Sequence, residues 1–450
     1  MNQAMTDYYR CPQEALPFSL QGTLSHHPGF FRFGSGLLCF GACSSSSPAP
    51  HLGPQIPDVF LNAKIENGRV LLPFDPTEVA SNYRLERYKK SAAGPKSKLL
   101  ASAPVHDLYY LLRPLFPVSF RKHLQRIYFR GWKSRPFPQW PLDSSVDALF
   151  ERLLTLALQA RGGEPIPFVW FWPDALPAAF ILTHDVEEAA GRDFCPALMD
   201  LDASFGFRAS FQLVPEERYS TSDSFRASIR DRGFEVCVHD LNHDGRLYHD
   251  HAQFLRRAAK INEYARQWQS RGFRAGAMYR NLDWLSALDF SYDMSVPSSA
   301  HLEPQSGGAC TVMPFFVGKI LELPLTMAQD YSLFDILDDY SIDVWRGQAA
   351  HVLSRNGLLS LITHPDYLLE DRARRTYSAL LAHLAELRDS GRLWAALPGE
   401  VDRWWRDRNK MEIVRSGDGW RVQGPGSGRA RVALAQIEEG KLVYRFPHHD

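Results

Sequence analysis

Two short stretches of this 450-residue chain carry residues whose types and spacing could do hydrolytic chemistry. In Thr183-His184-Asp185-Val186-Glu187, two carboxylates lie two apart at the end of an apolar run. A strand repeats every two residues, so Asp185 and Glu187 share a face. Two carboxylates on one face repel unless a cation sits between them or water screens them. In His239-Asp240-Leu241-Asn242-His243, two imidazoles lie four apart, directly after the run FEVCV. In a helical turn that spacing puts both rings on one side, a common metal-ligand arrangement. Glu187, His239 and His243 would give three protein ligands with room for water, as in catalytic zinc sites. The expected cofactor is therefore a divalent cation, zinc first, although mixed carboxylate and imidazole donors accept several such ions. Asp185 is then free to take a proton from water. His364, ending GLLSLITH, is placed to give one to a leaving amine.

Each cluster alone has a plainer reading. Asp185 and Glu187 could favour the start of the following helix, where carboxylates are stabilised. A bare HxxxH arises often by chance, on surfaces and in cores. His364 before Pro365 could be a hydrogen-bonded strand end. His249 and His251 open a helix and read as solvated. What joins the three clusters is placement at the ends of apolar runs in one series.

Those runs are AAFILTH, RASFQLV, FEVCVHD, FRAGAMY, SYDMSV, KILELPL and GLLSLITH. Helical patterns separate several of them, at 193–205, 222–231, 251–269 and 342–354, with another at 372–389 after the last run. Short apolar runs alternating with helices predict βα units around a parallel sheet or barrel. In such barrels the C-terminal strand ends carry the chemistry, because loops there shape a pocket over a rigid scaffold.

The flanks read differently. Residues 1–95 form a β-rich N-terminal region with a hairpin at 59–73, turning at Asn67-Gly68. Residues 96–170 read as a helical connecting region. Helical signals at 108–130 are broken by Pro114 and Pro117, and Arg121, Lys122, Arg126 and Arg130 make a solvated basic face or a phosphate or glycan contact. An amphipathic helix at 145–159 places Val146, Leu149, Phe150, Leu153, Leu154 and Ala157 on one stripe. The barrel spans 171–409 and ends in a helix at 400–409. Residues 410–450 read as a small β module of short alternating runs with glycine turns.

Composition narrows the class. Hydrophobic residues are 45% and charged residues 23%, an ordinary globular balance. Lys+Arg and Asp+Glu are 51 each, which argues against a nucleic-acid partner. No apolar run reaches transmembrane length, so no integral membrane segment is expected. The opening MNQAMTDYYRCPQE lacks a basic stretch followed by an apolar core, so the expected location is cytoplasmic. The six cysteines show no CxxC pair, and Cys195 and Cys237 read as buried thiols.

Over residues 180–367 the chain resembles the polysaccharide deacetylases of the NodB homology type, carbohydrate esterase family 4. The resemblance implies an α/β fold, a distorted (β/α) barrel of the glycoside hydrolase/deacetylase type. It also implies hydrolysis of N-acetyl or related acyl groups on a carbohydrate, a carbon–nitrogen bond outside peptides. The family's first motif usually reads TFDDG, a base aspartate and then a ligand aspartate. Asp185 matches the base, and the ligand carboxylate is displaced to Glu187, as in a D-x-[DE] subset. The H[ST]xxH motif matches His239 to His243, with Asp240 replacing Ser or Thr. Arg274-Ala275-Gly276 resembles the third motif, whose arginine orients the base. Gly276 and Ala277 stand where the family has a proline and an aromatic residue. Asp293 matches the aspartate that supports the acid histidine, and Leu361-Ile362-Thr363-His364 matches the last motif. The resemblance thus implies catalytic Asp185, His364, Arg274 and Asp293, with metal ligands Glu187, His239 and His243. Tyr279, Trp284, Trp345 and Tyr367 could stack on sugar rings, but core packing is the favoured reading for them.

Two other functions compete. The altered third motif fits a degenerate barrel that binds a glycan or scaffolds a complex without turnover. A hydrolase of a non-sugar C–N bond, such as a cyclic imide or ureide, fits the expected cytoplasmic location.

Overall fold

The computed structural model describes residues 1–92, 129, 131–417 and 419–447. The expected helix at 108–130, with its basic face, lies almost wholly outside them. The chain divides into two compact units. One comprises 1–94, 144–176 and 403–450, and the other 95–143 and 177–402.

The second unit holds a nine-stranded sheet. Its strands are β1 (Ala178–Val186), β2 (Ala209–Leu213), β3 (Glu235–His239), β4 (Gly272–Arg274), β5 (Tyr292–Asp293), β6 (Phe315–Val317), β7 (Ile320–Glu322), β8 (Leu358–Thr363) and β9 (Leu393–Ala396). All seven expected runs contribute a strand. The order is β6-β7-β5-β4-β3-β2-β1-β8, with β9 also on β1. Every pairing is parallel except β6 with β7. β8 takes one edge of β1, and β9 and then β2 share the other in succession. Every residue of β1 is buried, as expected of a central parallel strand covered on both faces.

The sheet curls into a half-barrel, and its open seam is bridged beside β8. Thr326 Oγ1 donates to Leu358 O at 2.7 Å and accepts from Ser360 N at 2.9 Å. The Met327 N–H donates to Ser360 O at 3.1 Å. Five helices of this unit link or follow the strands: α1 (Ala189–Ser204), α2 (Asp223–Asp231), α3 (His251–Gln267), α4 (Asp343–Ser354) and α5 (Asp371–Asp389). Ser222 caps α2 by accepting from Phe225 N, and Asp250 caps α3 by accepting from Gln253 N. α1 starts four residues before its expected position and carries Pro196 within it.

The first unit is built from small sheets around the helix Ser145–Ala160. That helix buries the whole predicted apolar stripe. The Asn-Gly hairpin joins Lys64–Glu66 to Arg69–Leu72, with φ of 50° at Asn67 and 75° at Gly68. The expected first strand of that hairpin is shorter, because Phe60–Asn62 form a 3₁₀ turn. Four strands form at the C-terminal end, and Val432–Ala435 pair antiparallel with Ile166–Val169. Arg408 is buried here and donates to the carbonyls of Tyr8, Val169 and Trp170. Burial pulls its guanidinium down to about 9. All six cysteines are free and buried. No helix among the described residues is long and apolar enough to cross a membrane.

Candidate active site

The C-terminal ends of β1, β3, β4 and β8 converge. Asp185 lies in the last turn of β1's pleat, and Glu187 follows the strand directly. Tyr219 holds this strand end, donating to Val186 O at 2.5 Å and accepting from Val214 N at 3.0 Å. His239 closes β3, Arg274 closes β4 and His364 follows β8.

His243 reaches the same point by a different route from the expected helical turn. Residues 240–250 are a loop. Asp240 and His243 adopt left-handed backbone, with φ of 56° and 53°. Asp240 stabilises the turn, its Oδ1 accepting from Leu241 N at 2.7 Å and its Oδ2 from Gly276 N at 3.3 Å. A Cβ on Gly276 would stand 2.5 Å from Asp240 Oδ2 and 2.9 Å from His243 Cδ2. The glycine at the departure from the family motif is therefore what admits the His243 ring.

Glu187 sits among three imidazoles. Its Oε1 is 3.0 Å from His243 Nε2, 3.5 Å from His364 Nε2 and 3.7 Å from His239 Nε2. One ligand atom each from Glu187, His239 and His243 fall within 4.8 Å of one another. Tetrahedral ligands about 2.1 Å from a zinc ion would be separated by roughly 3.4 Å. The Glu187 distances to the two ligand histidines straddle that value. Both histidines are almost fully buried, and the Nε2 of each faces Glu187 without a well-aligned hydrogen bond. His239 Nδ1 lies 3.1 Å from Arg274 O. A carbonyl only accepts, so this bond puts the proton on Nδ1 and turns the Nε2 lone pair inward. Two buried imidazole nitrogens turned toward one carboxylate are the donor set of a divalent-cation site, and these residues fit one.

The charges are coupled. Burial pushes the Glu187 carboxyl up, but His243, His239 and His364 outweigh it and hold it well below the ordinary range. Burial works against the His243 imidazolium, and Glu187 reverses the balance and raises it. Asp185 is 3% exposed and raised by burial, yet Arg274, His239 and His364 bring its net pKa down. Arg274 Nη1 donates to Asp185 Oδ1 at 2.6 Å and to Thr183 Oγ1 at 2.8 Å. The other Asp185 oxygen, Oδ2, lies 3.7 Å from His239 Nε2.

One expected partner is corrected. The carboxylate on His364 is Asp330, not Asp293. Asp330 Oδ1 is 2.7 Å from His364 Nδ1, and its Oδ2 accepts the His364 backbone N–H at 2.7 Å. Asp293 is in register with Phe273 and Val238, on the face opposite Arg274 and His239. There it accepts from Ser295 at 2.6 Å and pairs with the buried Glu322. The only sequence signal for Asp330 was an acid shortly after the run KILELPL. Burial opposes the His364 charge, but Asp330 and Glu187 prevail and raise its pKa well above the ordinary value.

The aromatic candidates divide. Trp345 is fully buried and donates its indole N–H to Ala328 O, so it packs the core. Trp284 sits half-buried in a cluster with Tyr248, His251 and Phe254. Tyr279 is also half-buried. Tyr367 presents itself edge-on to His364, with centroids 5.2 Å apart.

No protein-family model matches this chain, and no curated protein matches it. Among solved structures it is similar to a putative polysaccharide deacetylase from Mycobacterium smegmatis, at 18% identity over 53% of this chain and 93% of that one, with a TM-score of 0.44. An allantoinase is similar at 12% identity, over 52% and 92% of the two chains, with a TM-score of 0.43. A family 4 carbohydrate esterase from Streptomyces lividans in complex with acetate follows at 13% identity, over 49% and 93%, with a TM-score of 0.32. Each of these likenesses spans about half of this chain.

Proposed function

We propose that this protein is a metal-dependent hydrolase that removes an N-acetyl or related acyl group from a carbohydrate. The observation that carries the reading is the convergence of Glu187, His239 and His243, with both imidazole Nε2 atoms buried and turned toward the Glu187 carboxylate.

Glu187, His239 and His243 would hold a divalent cation, zinc first by donor type. When bound, such a cation supplies Lewis acidity toward water and a carbonyl oxygen. Asp185 accepts a proton from the attacking water as its oxygen bonds to the amide carbon. Arg274 fixes the Asp185 carboxylate through Oδ1 and leaves Oδ2 facing the site. Asp330, 2.7 Å from Nδ1, favours the protonated form of His364. His364 delivers that proton to the amide nitrogen as the C–N bond breaks, releasing a carboxylate and an amine.

The test is zinc content together with acetate release from N-acetylglucosamine oligomers. The expected result is about one zinc per chain and acetate release that stops on chelation and returns with zinc. A protein that takes up no zinc and releases no acetate would contradict the reading.

A further inference from the structure

Around residues 325–332, described residues of the second unit line a small, partly open cavity of about 20 Å³. That is room for one or two waters and too little for a ring. Trp140, Leu302 and Met327 give it apolar walls, and Ser299, Glu303 and Ser332 give it polar ones. Ser332 is 2% exposed, and its Oγ has no hydrogen-bond partner. The Ser299 Oγ is buried and unpartnered as well. Buried hydroxyls normally find partners, so two that line one cavity point to something that fills it.

The cavity is tied to the chemistry through a single tetrapeptide. Gln329 donates to Glu303 Oε2 at 2.7 Å. The next residue, Asp330, holds His364. Ser332 then opens a π-helical turn, Ser332–Leu337, a geometry frequent at functional sites. Burial lifts the Glu303 carboxyl to about 7, so near neutrality it can donate a hydrogen bond as well as accept one. Glu303 is also close enough to feel the charges of His364 and Asp185.

We infer that this cavity is a substrate subsite that takes the hydroxymethyl group of a sugar, bonded by Ser299, Ser332 and the Glu303 carboxyl, while the ring stays outside. The size of the cavity sets the substituent, and its mixed walls set the chemistry: an apolar CH₂ against Met327 and Leu302, and a hydroxyl toward the polar side. The inference rests on the carbohydrate reading above.

The experiment is isothermal titration of the zinc-loaded full chain with N-acetylglucosamine and with N-acetylxylosamine, which lacks only the hydroxymethyl group. Acetate release from both sugars is measured alongside. The wild type is expected to bind the hydroxymethyl sugar about tenfold more tightly, the effect of one or two hydrogen bonds. Ser332→Ala and Glu303→Gln are expected to shrink that preference to about threefold or less. Ser332→Thr, which keeps the hydroxyl but fills the space, is expected to weaken the hydroxymethyl sugar selectively. Equal binding of both sugars by the wild type, no binding of either, or an unchanged preference in all three variants overturns the subsite. A binding preference without acetate release leaves the subsite standing and removes the hydrolase reading. Equal binding with equal acetate release from both sugars does the reverse.

Discussion

Asp330 grips His364 at two points, with one carboxylate oxygen 2.7 Å from Nδ1 and the other accepting the backbone N–H at 2.7 Å. The double contact fixes the ring's tautomer and leaves Nε2 facing Glu187. It also stabilises the imidazolium, and that sets how the reaction responds to pH.

Asp330→Asn removes the charge that holds the His364 pKa up. The protonated acid is then lost at a lower pH, so the basic limb of the pH–rate profile moves toward neutrality. The maximal rate is expected to fall about 10²-fold or more, the usual contribution of a positioned general acid. A profile superimposable on the wild type would remove Asp330 from this role.

Asp185→Asn keeps the shape of the base and removes its charge. Turnover is expected to fall by about 10²–10⁴-fold. Zinc content stays near the wild-type level, because Asp185 is not among the ligands. Zinc analysis and acetate release on one preparation check both halves, and retained turnover would reassign the base.

Gly276→Ala forces a methyl group to within 2.5 Å of Asp240 Oδ2 and 2.9 Å of His243 Cδ2. The His243 ring must shift, and zinc affinity is expected to drop about 10–100-fold, the usual effect of disturbing the support of a ligand. Competition with a chromogenic chelator measures it.

Glu322 and Asp293 are buried side by side, and burial followed by the charge of Asp293 raises Glu322 well above the ordinary range. The folded state therefore keeps a proton that the unfolded chain gives up. Stability from this proton is complete below the ordinary glutamate range and is lost as pH rises through the folded pKa. Glu322→Gln should flatten that decline, at roughly 2–4 °C of melting temperature per kcal/mol in a unit of this size. Melting curves from pH 5 to 9 decide it, and parallel declines for both proteins would refute the shared proton.

Much of this was legible in the chain. Each apolar run that suggested a strand forms one, because parallel strands covered on both faces must be continuously apolar. Glu187, His239, His243, Asp185 and His364 were visible as ionisable residues at the ends of those runs, and Arg274 through its motif. What was not legible depends on three-dimensional neighbours. The face of Asp293 is set by its register with Phe273, which no local pattern encodes. Asp330 lies in a loop and gains its meaning only from His364. The path from His239 to His243 looked helical, yet the left-handed backbone at Asp240 and His243 makes it a loop. The pairing of Val432–Ala435 with Ile166–Val169 joins segments far apart in sequence, and the short Leu393–Ala396 strand carries too little pattern to stand out.

The central claim is a metal centre made by Glu187, His239 and His243. Crystals of the zinc-loaded protein, with anomalous scattering recorded on both sides of the zinc edge, test it most directly. The account predicts one strong peak about 2.0–2.2 Å from a Glu187 oxygen and from Nε2 of both histidines. Zinc at full occupancy elsewhere in the molecule, with no peak among these three side chains, would contradict it.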